Sequence, residues 1–571
     1  MRKVLPWALA VALLLGISHL GLAEKPKPVM TMSFSGYDEV MKDIDLIGKL
    51  GDLPQLGKLL EGQLQQQEGP RMLLPLIDKG KPWGVVVSMG DESPEPVVQA
   101  ILPLTDVKPI VQALQQIGIQ AKESGGTYEV QAGPRTVVFK QKGRWTLVAS
   151  SKDALADIPE EPASLLGGLN EKYDLAVSVA IKNIPAAIRD GAMFPLTMAF
   201  QMAMQQRMPG EGEGQYAFRS RMAEQLLKQI TEAIKDLDTI LLGLSVDRKA
   251  NAARLDLVTT VLPGSKMAKK LARSADLKTD FAGLADPNAA LLFTLTRKMD
   301  EEDVAQAKSN TGLLRTNLLA ELGGLPGASA EDAKLVKQLA GDLMDVLEKT
   351  VEGGKLDGGL KVKLAPKNLQ VVAAVRVADG AKLDKVVKQV IERVGKENPA
   401  ATQLIKLDAE THQGVRFHTL TVSSDMVPSP HEKDQFSKVF GDKVTVILGI
   451  GDDSVYLAVS PDAAKTLKEV IDKSKSASDK STPPMQLSVA ATPIAQFVAE
   501  VGDPGAKQGA GMLLKVVSAS AGKDHVKLTA TLVPNGSQAR LELEEGILRV
   551  IGTVPKMRLG LGGGGAPVPQ P

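Results

Sequence analysis

The chain has 571 residues, 43% of them hydrophobic but only 3% aromatic, so any core is built from Val, Leu, Ile, Ala and Met. Lys and Arg number 68 against 67 Asp and Glu, with no long block of like charge, which removes the electrostatic pull toward nucleic acid or anionic lipid. The absence of cysteine excludes disulfides, zinc–thiolate sites and cysteine nucleophiles.

The chain opens like an export signal. Arg2 and Lys3 form a positive start, Val4 to Ile17 an apolar stretch, and Gly21-Leu22-Ala23 a small-residue cleavage site. The apolar run falls short of the roughly 20 residues of a membrane span. Residues 1–23 are thus expected to be a signal peptide, with the mature chain in a bacterial periplasm or outside the cell. Without Arg2 and Lys3 the formal charge goes from +1 to −1.

Four blocks then recur in one order, which predicts an internal duplication. Val29 to Phe34 alternates as a strand does, and a helix follows from Tyr37 to Gln66 with a break near Gly51–Pro54. Ala289 to Thr296 repeats the pattern, with helical sequence broken at Gly323–Gly327. Hairpins come next: Trp83–Ser88 with Val97–Leu102 about the turn Asp91–Pro94, and Gly359–Leu364 with Leu369–Val377 about Ala365–Asn368. Ile110, Leu114 and Ile117, like Leu383, Val387 and Val390, then mark one apolar stripe on a helix. The third block is Leu147-Val148-Ala149-Ser150-Ser151-Lys152-Asp153-Ala154, matched by Tyr456-Leu457-Ala458-Val459-Ser460-Pro461-Asp462-Ala463. Each is expected to be a strand running into a helix. The fourth pairs Leu255–Ser265 with Val526–Ser537. A linker is expected near Ala285–Asn288, and a loop over Ser474–Pro484.

The copies differ most over Asn183–Leu237. Residues 193–208 have a narrow polar stripe of Thr197, Gln201 and Gln205, and nearly everything else is apolar. Pro209–Gly214 breaks this helix and a second, amphipathic one runs from Tyr216 to Leu237. Such a hairpin either packs into a core or exposes a Met-lined surface, on which Met198, Phe200, Met202 and Met204 are the candidate ligand-binding residues. In the second copy, Ser424–Asp442 is expected to be a surface loop.

The chemistry of catalysis is hard to find. His412 and His418 are six apart, which on one strand gives them a common face, but Arg416 lies between them and no carboxylate completes a metal site. Ser520 and Lys523 are spaced as a Ser-x-x-Lys pair but fall in an expected turn between strands Leu513–Ala519 and His525–Leu532. Asp452-Asp453 is expected to be a hairpin turn, and Asp43 with Asp45 begins a calcium loop that is not completed. Trp83 and Trp145, the tryptophans outside the signal, sit in expected strands rather than on a sugar platform. No catalytic residue, metal ligand or cofactor is predicted.

The repeated Leu-Val-Ala-Ser-x-x-Asp and Leu-Ala-Val-Ser-x-Asp blocks, in a cysteine-free, aliphatic exported chain, resemble the large uncharacterised exported proteins of planctomycete-type bacteria. That resemblance implies no activity and transfers no functional residue. The sequence predicts an α+β protein of two tandem, internally duplicated domains, each a mainly antiparallel sheet with helices packed on one face. The first repeat covers 24–284, with a Met-rich helical hairpin at about 193–237. The second covers 285–555, and a disordered Gly/Pro-rich tail covers 556–571. The leading functional expectation is a non-catalytic envelope protein that binds or scaffolds a partner. The alternatives are a periplasmic carrier of an apolar ligand, and a hydrolase with dispersed acidic residues that a cleft of carboxylates with raised pKa values would favour.

Overall fold

Period-two alternation becomes strand where it is flanked by turn residues, and the first half of the chain forms ten such strands among its described residues. The computed structural model describes residues 26–558 except 68–70, 72–73, 91–95, 117–118, 133–134, 323–329 and 478–480. The expected signal peptide, the expected turn at Asp91–Pro94, the expected break at Gly323–Gly327 and residues 559–571 thus lie outside the described residues.

In chain order the first ten strands are β1 (Lys27–Phe34), β2 (Trp83–Met89), β3 (Val97–Leu102), β4 (Gln120–Ser124), β5 (Thr127–Ala132), β6 (Arg135–Lys142), β7 (Trp145–Ala149), β8 (Leu175–Ala180), β9 (Leu237–Asp247) and β10 (Ala252–Val261). They pair antiparallel in the order β4-β5-β6-β7-β3-β2-β1-β8-β9-β10. Helices α1 (Tyr37–Leu50) and α2 (Leu56–Gln65) follow β1, α3 (Lys108–Gln116) follows β3, α4 (Ala186–Gln205) and α5 (Glu213–Asp236) join β8 to β9, and α6 (Lys266–Arg273) follows β10.

The second half contains β11 (Leu291–Lys298), α7 (Glu301–Glu321), α8 (Ala330–Glu352), β12 (Lys355–Lys363), β13 (Gln370–Arg376), α9 (Gly380–Glu397), β14 (Ile405–His412), β15 (Val415–Ser423) and α10 (Pro430–Phe440). It continues with β16 (Lys443–Ile450), β17 (Ser454–Ser460), α11 (Ala463–Ser476), β18 (Met485–Ala490), α12 (Ala491–Val501), α13 (Pro504–Val517), β19 (His525–Val533), β20 (Gly536–Leu543) and α14 (Glu545–Arg558). Here the antiparallel order is β14-β15-β16-β17-β13-β12-β11-β18-β19.

Two compact units result, interleaved along the chain rather than cut between 284 and 285. The first comprises Met1–Met198, Ala233–Ser265 and Pro534–Pro571; the second comprises Ala199–Glu232 and Lys266–Val533. Strand β20 therefore belongs to the first unit, where it pairs with β10 and sets Arg254 opposite Glu542 and Asp256 opposite Arg540. Helix α14 crosses α1 at backbone distance: a Cβ on Gly51 would lie 2.1 Å from the carbonyl carbon of Gly552. Only glycine permits that approach, and Leu50, Ala253 and Leu548 close the core beside it. Helix α6 belongs to the second unit, where Lys270 pairs with Asp303 at 2.9 Å.

The cores follow the alternation. In the second unit Val372, Ala374, Phe417, Ile447 and Ala458 share one sheet face, and α11 covers it with Ala463, Leu467, Val470 and Ile471. In the first unit β7 is buried along its whole length, with Val148 in one cluster and Leu147 and Ala149 in another. Buried clusters on both faces explain why β7 reads as an unbroken apolar run.

Several expectations are corrected. Helices in the second unit do not keep to one face: α11 covers the Phe417 side, while Asp384 of α9 bonds His418 on the other. No full helix follows β7; Asp153–Leu155 is a single 3-10 turn, because Pro159 and Pro162 deny the chain a longer one. Residues 513–517 are helix, not strand. Ser424–Asp442 is not a plain loop, since it holds α10, begun by Ser429 as N-cap and Pro430 in the first turn. The tail begins later than 556, because α14 runs to Arg558.

Candidate functional site: an exposed apolar helical hairpin

Helix α4 is made mostly of Ala, Met, Leu and Gln, all good helix formers, with Pro195 inside it. The chain then turns through Pro209 and Gly210, the latter at φ 83° where a side chain is disfavoured. One side chain fixes this turn. Arg219 of α5 donates from Nε and Nη2 to the two carboxylate oxygens of Glu211, at 2.7 and 2.9 Å. It also donates to the Gln206 carbonyl at 2.9 Å and to Met204 Sδ at 3.6 Å. The Arg219 bonds to its two oxygens, with a further one from the Met208 N–H, hold the Glu211 carboxyl down to about 2. The Tyr216 ring stacks against the guanidinium groups of Arg207 and Arg219. The turn is thus a braced joint.

The arms it joins expose apolar surface. Phe194, Met198 and Met202 recur at i, i+4 and i+8 on α4, and are 67%, 42% and 58% exposed. Met222, Leu226 and Ile230 do the same on α5, at 37%, 52% and 37%. No residue of α5 is buried. Arg221, Glu224, Lys228 and Glu232 fall on the opposite side of α5, and Arg219, one turn before Met222 on the stripe's side, is held by Glu211.

The structure splits the four predicted site residues. Met198 and Met202 point outward, whereas Phe200 and Met204 are half-buried, and the Met204 sulfur is taken up by Arg219. Sequence reasoning missed Phe194 and the whole α5 stripe, although the four-residue spacing of Met222, Leu226 and Ile230 was there to be read. A second open apolar region lies on β9 and β10, where Leu242 faces Leu257 and Leu244 faces Leu255, all four exposed.

The polar clusters are occupied largely by their own ion pairs. Asp384, Asp408 and His418 bring three ligand atoms within 4.8 Å of one another. The Asp408 N–H donates to His418 Nδ1 at 3.2 Å, so Nδ1 is an acceptor, and Nε2 lies 2.7 Å from Asp384. The Lys388 ammonium already sits on both carboxylates, at 3.0 and 2.6 Å, with Arg416 3.5 Å from Asp384. Burial would raise the Asp384 carboxyl, but Lys388, His418 and Arg416 hold it below its ordinary value. These residues do not fit a metal: a lysine occupies the cation's place and the histidine's lone pair is used. His412 is not part of the cluster. The turn at Gln413–Gly414 puts it on β14 and His418 on β15, facing opposite sides, and His412 instead meets Asp472 at 2.8 Å.

A cavity of about 320 Å³ in the second unit is lined in part by Asp280, Asp453, Tyr456 and Lys475. Arg376 and Lys355 bind Asp280 at 2.6 and 2.8 Å, and outweigh burial to keep its carboxyl below the ordinary value, which is the wrong direction for a general acid. In the first unit, burial and then the neighbouring Asp174 push the Asp43 carboxyl up to about 7, against the pull of Arg248 at 3.0 Å. Asp43 sits in α1, and its partners are structural: Asp174 accepts from the Val246 N–H at 2.8 Å. Ser520 follows the end of α13 rather than sharing a helical turn with Lys523.

Among the described residues no helix is long and apolar enough to cross a membrane. Comparison with protein-family models, with curated proteins and with solved structures finds no match to this chain.

Proposed function

We propose that this chain is an exported, non-catalytic envelope protein that binds or scaffolds a partner through the α4–α5 hairpin. One observation carries the reading: two uncharged stripes, Phe194/Met198/Met202 and Met222/Leu226/Ile230, stand open on arms joined by a braced turn. Isolated exposed apolar residues are ordinary, but aligned sets on adjoining helices mark interaction surfaces. Export rests on the sequence of residues 1–23.

We further propose that the two halves are copies of one ancestral domain. The support is the strand order, β4-β5-β6-β7-β3-β2-β1-β8-β9 in one half and β14-β15-β16-β17-β13-β12-β11-β18-β19 in the other. On that alignment β19 answers to β9, so the fourth repeated block, which sets β10 against β19, is out by one strand.

A second reading, a carrier of an apolar ligand, is favoured by the four exposed leucines of β9 and β10. Purification from an envelope fraction, native mass spectrometry and organic extraction separate the two. Binding through the hairpin predicts a co-purifying macromolecule that Met198→Asp with Met202→Asp, or Leu226→Asp, releases without lowering the melting temperature. An extractable apolar molecule retained by those variants and lost in Leu242→Asp moves the function to the sheet. A bare mass in the wild-type chain sinks both.

A further inference from the structure

Five of the chain's 19 methionines, Met193, Met198, Met202, Met204 and Met208, fall within 16 residues. Leucine would serve a purely apolar helix as well and is a better-defined packer. With no cysteine in the chain, methionine thioethers are its sulfur chemistry, and they are densest here. We propose that Met198, Met202, Met208 and Met222 form an oxidation site for oxidants of the peroxide class, and that their conversion to sulfoxides switches off binding by the hairpin. This rests on the reading of the hairpin as a binding surface.

The assignment follows access to sulfur. Met198, Met202, Met208 and Met222 are exposed, whereas Met204 engages Arg219 and Met344 is 4% exposed in the core. In the reaction a sulfur lone pair attacks one peroxide oxygen. The O–O bond breaks, the S–O bond forms, and the other oxygen leaves as hydroxide that takes the proton from the new S–OH group and departs as water, so the thioether loses two electrons and the peroxide gains them. Each event places a strong dipole where the stripe was apolar. Met198 and Met202 are two of the three α4 stripe positions and Met222 begins the stripe of α5, so both arms become polar together.

The test treats the purified full chain with graded hydrogen peroxide, maps sulfoxides by peptide mass spectrometry, and reads the open apolar surface with an anilinonaphthalene-sulfonate dye. The four hairpin methionines should reach half-conversion at a dose at least about tenfold below that for Met344, a difference that vanishes in guanidinium chloride. Dye fluorescence should fall several-fold in the wild-type chain. It should persist after the same treatment in a chain carrying Met198→Leu, Met202→Leu, Met208→Leu and Met222→Leu, which keeps the surface apolar but removes sulfur. Met426 and Met512, exposed and not part of the hairpin, are internal controls: they should oxidise in that variant with the dye signal intact. Equal reactivity of hairpin methionines and Met344 in the folded chain overturns the site. A dye signal that survives hairpin sulfoxidation overturns the switch. A signal already unaffected by Leu226→Asp before oxidation tells against the hairpin as the binding surface, a failure separate from the sulfoxide map.

Discussion

Two helical hairpins occupy the same place in the two strand orders, and they are built to different ends. The α12–α13 hairpin joins β18 to the β19 side with helices of 11 and 14 residues, and it buries Thr492, Ala495, Ala510 and Val517. Its second helix is capped by Asp503, which accepts from the Ala506 N–H at 2.8 Å. The α4–α5 hairpin joins β8 to β9 with helices of 20 and 24 residues, and no residue of α5 is fully buried. Joining such strands evidently needs no more than the shorter device. Phe218, Leu227 and Ile234 of the longer one are half-buried, whereas Met222, Leu226 and Ile230 stay open and need another reason to be there.

The sharpest way to break this contrast is to place a carboxylate in each hairpin. Val517→Asp puts a charge where nothing is exposed and should cost about 3–5 kcal/mol, seen as a large fall in melting temperature. Leu226→Asp should stay within about 0.5 kcal/mol of wild type. Equal losses would mean that the long hairpin is structural after all. The next test asks whether the first unit is held by its sheet. Arg540 donates to both oxygens of Asp256, at 2.7 and 2.8 Å, and outweighs burial to hold that carboxyl below its ordinary value. Because the guanidinium is partly exposed, Arg540→Ala should cost about 2–3 kcal/mol in denaturant unfolding rather than the full amount for a buried pair.

The smallest effect concerns Asp43. Its folded pKa of about 7 lies above the unfolded value near 4, so the native state holds a proton that the unfolded state releases. Its contribution to stability is therefore best at low pH and declines as pH rises from about 4 to 7. Asp43→Asn should raise the melting temperature at pH 8 relative to its effect at pH 5, by the equivalent of about 1 kcal/mol. A pH-independent difference would mean that the Asp43 carboxyl does not hold that proton in the folded chain.

Much of the strand pattern was legible, because alternation and turn residues act locally: β1, β2, β3, β11, β12 and β13 fall where the sequence put them. Short apolar runs were not. Residues 513–517 read as strand, yet Ala510, Leu514 and Val517 have helical spacing and α13 follows it. The start of α10 was written in Ser429-Pro430-His431-Glu432, an N-cap, a first-turn proline and a third-position glutamate, but its polar composition looked like loop. A two-residue turn between His412 and His418 reversed the parity on which their shared face depended. For the hairpin, composition pointed to the right segment, but helical phase decides which methionines face out. The pairing of β10 with β20 was illegible, since Asp256 and Arg540 are 284 residues apart and register at that range follows from packing.

The interleaving of the units bears on how the chain can fold when it is threaded amino end first. The sheet of the first unit lacks its last strand, β20, and α1 lacks the partner that closes on Gly51, until nearly the whole chain has emerged. Early residues must wait for late ones. A polypeptide wired in this way completes its first unit only once its carboxy-terminal segment has been made.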